Sequence, residues 1–204
     1  KSAQDKPQFK FFKKATEQTH ISLGMHSFPK NHPDEFALDV LNVILGGNMS
    51  SRLFNEVREE RGLAYEIGSG VRRYHETGAF IVSAGVDNKK AAEALKIILK
   101  ELSLIKREVV KASELKRAKE FYLGQLDLGL ENSMNQMLWA GESVVSLGRV
   151  RTSSEVAKKI EAVTAGDLRR VSQKIFTDPS LNLAVVGPET DKLEKEIKSS
   201  LSFS

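Results

Sequence analysis

Residues 45–65 read LGGNMSSRLFNEVREERGLAY, and the organisation of the whole chain can be worked out from this stretch. Gly46 and Gly47 close the helix before them, Asn48, Ser50 and Ser51 are polar residues able to cap the next one, and a short charged helix runs up to Gly62. Leu53, Phe54 and Val57 lie at helical spacing and form an apolar stripe. Arg58, four residues after Phe54, falls on the flank of that stripe, at a boundary between core and solvent. Gly62 reads as a left-handed C-terminal cap, and the apolar residues beyond it alternate as a strand does, with Tyr65 among the first of them. Loop, helix, turn and strand follow one another closely, so Arg58 and Tyr65 can converge on one spot. Boundary arginines also serve packing alone, and the local pattern leaves both roles open.

Upstream, residues 1–16 are polar and basic around Phe9, Phe11 and Phe12 and are expected to form a linker or strap that packs on something. Residues 17–204 are expected to form one domain. Thr19 to Phe28 alternates as a strand, with His20, Ser22, Gly24 and His26 on one side and Ile21, Leu23 and Met25 on the other. Asp34 opens a helix with a broad apolar face from Phe36 to Leu45, mostly buried. Downstream, residues 64–75 and 79–87 make a hairpin around Glu76, Thr77 and Gly78. Helices follow over residues 89–108, then from Ser113 as a cap with Leu115, Ala118, Tyr122 and Leu126 on one face, weakened in the middle by Gly124 and Gly129. Asn132 or Ser133 caps the next helix, in which Met134, Met137 and Trp139 are expected as core. Two short helices follow over 152–163 and 164–176, then a strand over 181–186 and a charged helix over 189–201. Strands grouped early with helices segregated after them predict an α+β fold, its antiparallel or mixed sheet covered on one face by helices.

Composition narrows the function classes. The 204 residues are 40% hydrophobic and 28% charged, which suits one sizeable core. The 31 basic residues are interleaved with 27 acidic ones, so the net +4 is no footprint for nucleic acid. Cysteine is absent, which removes disulfides, thiolate zinc sites and cysteine nucleophiles and leaves the redox compartment undecided. No run is apolar for the ~18 residues of a membrane span, and a start at Lys1 without Met leads us to expect a processed or excised piece.

GGNMSSRLFNEVREERGLAY resembles the carboxy-terminal half of the M16 zinc metallopeptidases, the family of pitrilysin and the mitochondrial processing peptidase. QTHISLGMHSFPKNHPDEFALDVLNVILGG before it and LENSMNQMLWAGESVVSLGR after it are similar to the same half, so the likeness extends over most of residues 8–188. The resemblance implies the LuxS/MPP-like metallohydrolase fold and a peptide substrate held by Arg58 and Tyr65, with Tyr65 as an oxyanion donor acting in trans. Gly46 and Gly47 become further substrate-binding candidates, because the loop resembles a shortened substrate-recognition loop of the processing peptidase's non-catalytic subunit. It also implies a zinc-bearing N-terminal half, on the same chain or in a separate subunit. The alternative within the same family is a non-catalytic scaffold subunit.

Zinc itself is expected on that other half. M16 enzymes hold it through H-x-x-E-H and a later Glu, and the motif is absent here. His20, His26, His32 and His75 include no pair three or four residues apart. His20 and His26 read as hydrogen-bonded surface groups, and Asp34 and Glu35 as acidic residues of a first helical turn. Glu56, Glu59 and Glu60 with Arg52, Arg58 and Arg61 read as a solvated face of local ion pairs. Gly46-Gly47-Asn48 lacks the Lys-Ser/Thr pair of a phosphate cradle and suits a helix end and hinge instead.

Overall fold

The computed structural model describes residues 4–188 and 191–203, with only the backbone of residues 191 and 192. Five strands, β1 (Gln8–Lys13), β2 (Gln18–Ser27), β3 (Ala64–Arg73), β4 (Gly78–Asp87) and β5 (Leu181–Gly187), form one mixed sheet in the order β1-β5-β2-β4-β3. Only the β1–β5 pair is parallel. Period-2 alternation decides which side is covered. Ile21, Leu23 and Met25 of β2, Phe80, Val82 and Ala84 of β4, and Leu183 and Val185 of β5 are all buried, while His20, Ser22, Ser83 and Ala184 on the other face are exposed. The expected α+β fold, with a mixed sheet covered on one face, is therefore the observed one.

The covering layer is made by α1 (Glu35–Leu45), α2 (Ala91–Arg107) and α6 (Ala165–Ile175), with α3 (Ala112–Leu130), α5 (Ser153–Ala162) and α7 (Asp191–Ser199) around them. Leu38, Val40, Leu41 and Leu45 of α1 are wholly buried, as are Leu95, Ile98 and Leu102 of α2, and each such side chain contributes about 1.5–3 kcal/mol. Phe80 meets Phe176 edge to face at 5.3 Å. Both short helices open on complete capping boxes, Thr152 with Glu155 and Thr164 with Asp167. Asn132 caps α4 (Ser133–Leu147) by accepting from the amides of Met134 and Asn135.

Several expectations need correction. Residues 8–13, set apart as part of a strap, pair with β5, because Phe9 and Phe11 alternate inward with Gln8 and Lys10 outward. Residues 1–3 of that strap and 189–190 of the terminal helix lie outside the described residues. Ser113 is not the cap of α3. Lys111 stands at that position in extended conformation, and no side chain caps the helix. Gly124 and Gly129 do not interrupt α3. Met134 and Met137 are not core: both are exposed, and Trp139 is half-buried with its Nε1 donating to the Arg151 carbonyl at 2.7 Å.

Candidate functional site

The short helix of the opening stretch is a π-helical turn over Phe54–Glu59, in which the Glu60 amide donates to the Asn55 carbonyl at 2.9 Å. Wide turns of this kind are local distortions frequent at functional sites. Leu53 and Val57 anchor it in the core, fully buried, and the guanidinium of Arg58 lies over the Phe54 ring at 4.9 Å. Arg58 is 44% exposed and otherwise lies 3.9 Å from the Glu59 carboxylate, a loose surface contact. Arg52 does not belong to the solvated face expected of this segment: it forms a bidentate pair with Glu114 of α3 at 2.7 and 2.8 Å. Arg61 pairs with Glu56.

Gly62, at φ 56°, turns the chain back as a left-handed cap, the conformation that favours glycine. Its amide donates to the Arg58 carbonyl at 3.0 Å and that of Leu63 to the Val57 carbonyl at 2.8 Å, so β3 starts against the end of the π turn. The β3–β4 ladder then slips: Ala64 faces Val86 and Glu66 faces Gly85, leaving Tyr65 as the extra residue of a bulge. Ala64 stays buried while Tyr65 and Glu66 both turn to solvent. Tyr65 is 55% exposed, and its hydroxyl has no hydrogen-bond partner among the described residues. The structure thus brings Arg58 and Tyr65 to the same end of the domain, each presented outward, with no hydrogen bond joining them.

The glycine pair behaves differently at its two positions. A Cβ on Gly46 would lie 2.5 Å from the Ser69 amide, so this buried residue has to be glycine for α1 to end against β3, and its carbonyl accepts from Ser69 at 2.9 Å. Gly47 is exposed and, with Asn48, Met49 and Ser50, lines a groove of about 690 Å³ whose other wall is Glu114, Arg117 and Phe121 of α3.

A second cluster, at the far end of β3, has no counterpart in the sequence reading. Arg73 donates to Asp39 at 2.7 Å and to the Glu35 carbonyl at 2.9 Å, and the Tyr122 hydroxyl lies 3.5 Å from the other Asp39 oxygen. Glu35 pairs with Arg151 at 2.9 Å, and Arg151 in turn lies over the Phe36 ring. Burial raises the Asp39 carboxyl above the ordinary range, although the Arg73 charge pulls it down. Burial, and then the Asp39 charge, push the Tyr122 hydroxyl up as well. The one signal in the sequence was an aspartate inside the apolar face of α1.

Zinc does not fit the donors this chain presents. Among the described residues no three His, Asp or Glu side chains come together as a metal group. In α1, Asp39 is already bound by Arg73. His20 is exposed on the open sheet face, His26 sits 3.3 Å from Gln4, and His32 stacks on Phe28 at 4.0 Å. Among the described residues no helix is long and apolar enough to cross a membrane.

Known proteins share this sequence and fold. Residues 1–122 match the family described as peptidase M16 inactive domain. A Bacillus subtilis protein named as an uncharacterized zinc protease, YmxG, is 34% identical over 176 residues, 86% of this chain and 43% of the relative. The structure of a protease from Helicobacter pylori superposes with a TM-score of 0.83 at 21% identity, over 92% of this chain and 45% of that one. That of a peptidase M16 inactive domain from Pseudomonas fluorescens gives 0.80 at 21% identity, over 92% and 45%. The chain therefore spans less than half the length of the relatives it matches.

Proposed function

Because the chain belongs to the peptidase M16 family, as a carrier of its inactive C-terminal domain, we propose that it is the substrate-binding, zinc-free half of a peptidase whose zinc sits on a second half. The observation that carries this reading is the outward presentation of Arg58 and Tyr65 from a π turn and a β-bulge. Both are local irregularities of the backbone, and together they leave a cation and a phenol without a firm partner in their own domain. The metal would be held by the second half, and its chemistry when bound would be to polarise a carbonyl and activate water. Peptide hydrolysis builds negative charge on the carbonyl oxygen, and the Tyr65 hydroxyl is a donor suited to it. The forked donors of Arg58 hold neighbouring substrate carbonyls in register. The groove beside Gly47, with Gly46 fixing the loop against β3, extends the surface along which a peptide lies. Donors supplied from one half and metal from the other make turnover depend on closure of the two around the peptide.

The test is reconstitution. The chain alone is expected to leave a panel of unfolded peptides intact, and to restore cleavage when mixed with the H-x-x-E-H half encoded with it. Cleavage by the chain alone that survives a chelator overturns the reading. A mixture that forms a complex without peptidase activity assigns the chain to a scaffold role.

A further inference from the structure

Helix α4 carries apolar side chains on both faces. Met134, Met137, Leu138, Gly141, Val144 and Val145 recur at helical spacing and form a single stripe, which faces solvent. Met134 is 60% and Val145 89% exposed. The inward side is made by Trp139, Ala140, Ser143 and Leu147, of which Ser143 is buried and Trp139 packs against the core. The Ser146 carbonyl accepts from Asn31 at 2.9 Å, and the Trp139 Nε1 donates to the Arg151 carbonyl. Leu128 of α3 is also exposed, so both arms of the α3–α4 hairpin present an apolar side chain outward. The domain thus packs one side of α4 through Trp139, with Leu147 half-buried, and leaves the larger apolar stripe uncovered. Isolated folded domains rarely expose contiguous apolar surface of this kind unless it is an interaction site.

Two further features point to a protein partner that comes close. Gly124 of α3 and Gly141 of α4 sit in helix interiors, where glycine is unfavourable, and a Cβ at either would meet nothing within 4 Å in this domain. Packing inside the domain does not account for these glycines. A backbone approaching from outside does. The stripe also carries no charge: the only ionisable residue of α4 is Glu142, which lies off the stripe and pairs with Lys30 at the surface. That composition suits the depleted-charge centre of a protein interface and not a polyanion or an acidic peptide.

We propose that the α3–α4 ridge is the seat of the second half of the M16 protein, docking through an apolar, uncharged surface. This rests on the reading of the chain as one half of a peptidase. The relatives support the choice of occupant, since the chain matches only 43% of YmxG and 45% of the Helicobacter pylori chain. More than half of each of those two chains lies outside the match, which is room for a second body of similar size beside this fold. A tethered neighbour is present at high effective concentration and can cover such a ridge permanently.

The experiment titrates the purified chain with the separately purified H-x-x-E-H half encoded with it, by calorimetry and sedimentation. It compares wild type with the triple variant Met134→Glu, Leu138→Glu, Val145→Glu and with Lys96→Ala, an exposed position on α2. The triple variant is expected to bind about 30-fold more weakly or worse, the loss that marks interface centres, with Lys96→Ala unchanged. Amide hydrogen exchange on the wild-type chain is expected to show new protection over residues 128–145 on mixing, a readout independent of whether the triple variant folds. Equal binding by a folded triple variant, or no added protection over 128–145 in a complex that does form, overturns the docking assignment and leaves the half-peptidase reading standing. No complex with wild type overturns that reading and this inference together. A wild-type homodimer that the triple variant breaks, without any heterocomplex, replaces the second half by a second copy and overturns the proposal.

Discussion

At the start of β3, Tyr65 stands on a bulge beside the exposed Arg58. At its end, Arg73 reaches back to Asp39 with Tyr122 behind it. Both ends pair an arginine with a tyrosine, yet their polar groups are treated in opposite ways. Arg73 has a carboxylate, a backbone carbonyl and a buried setting, whereas Arg58 has a ring face and a glutamate at 3.9 Å, and Tyr65 has no hydrogen-bond partner among the described residues. Hydrogen bonds made within a domain stabilise it. Donors left aimed at solvent contribute little to folding and remain available for a ligand. The chemistry of the two residue types is the same at both ends, so the local backbone decides the role: a π turn and a bulge at one end, and an uninterrupted inward-facing strand position at the other.

The largest effect expected from this contrast is on stability. Arg73→Ala leaves the buried Asp39 carboxylate without its cation, and breaking such a pair costs about 3–5 kcal/mol. Arg73→Met combined with Asp39→Leu should recover most of that loss, because an apolar pair carries no unpaired charge. The pH dependence has a definite sign. The Asp39 pKa in the folded state already lies above the ordinary carboxylate range, and removing Arg73 raises it further. The variant's deficit is therefore greatest near neutral pH and shrinks on acidification through that raised pKa, where Asp39 takes up a proton. Urea melts of wild type and Arg73→Ala at several pH values measure this. A loss below about 1 kcal/mol at neutral pH would make the two ends alike.

The next effect belongs to the other end and is read in turnover. In the reconstituted peptidase, Tyr65→Phe is expected to lower kcat by about 10²-fold, as loss of one oxyanion donor does, with KM changed far less. Arg58→Ala is expected to raise KM as well, because it grips ground state and transition state alike. Both variants should melt within about 0.5 kcal/mol of wild type, as substitutions of exposed side chains do. Unchanged turnover in Tyr65→Phe, or a large stability loss in either variant, would assign this end to packing.

Much of this arrangement was legible in the sequence because its signals are local. Gly62 as a left-handed cap, Asn132 as an N-cap, the two helices opened by Thr152 and Thr164, and the alternation of β2 each depend on neighbours within a few residues. The flank position of Arg58 followed from its i,i+4 relation to Phe54, and the ring contact bears that out. What could not be read depends on distant partners. β1 is a six-residue strand whose ladder is made with residues 182–187, far along the chain. The Arg73 cluster draws on α1, β3 and α3 together. Periodicity within α4 carries no information about which way an apolar side chain faces. The assumption that apolar means inward placed Met134 and Met137 in a core they do not enter. The bulge was hidden for a related reason: alternation through Ala64, Tyr65 and Glu66 assumes one residue per step, and the ladder takes two there.

The smallest expected effect tests whether Tyr122 shares in the fixed end of β3 or merely lies near it. Its hydroxyl is 3.5 Å from Asp39, a long contact, so Tyr122→Phe should cost only about 1 kcal/mol at neutral pH, the net worth of one hydrogen bond. The informative difference appears in alkali. Burial and the nearby Asp39 charge raise the Tyr122 hydroxyl above its ordinary value of 10.0 in the folded protein, whereas the unfolded chain ionises near that value. A raised acid contributes stability that is complete below the unfolded pKa and is lost as pH climbs above it, by up to about 1.4 kcal/mol per pH unit for a single group. The difference between wild type and Tyr122→Phe should therefore narrow above about pH 10 and then reverse, with the phenylalanine variant the more stable. Denaturant midpoints of the two proteins across that range supply the measurement. Stability curves that stay parallel through pH 10 and beyond would mean that Tyr122 ionises as freely folded as unfolded. The fixed end would then consist of Arg73, Asp39 and Glu35 alone.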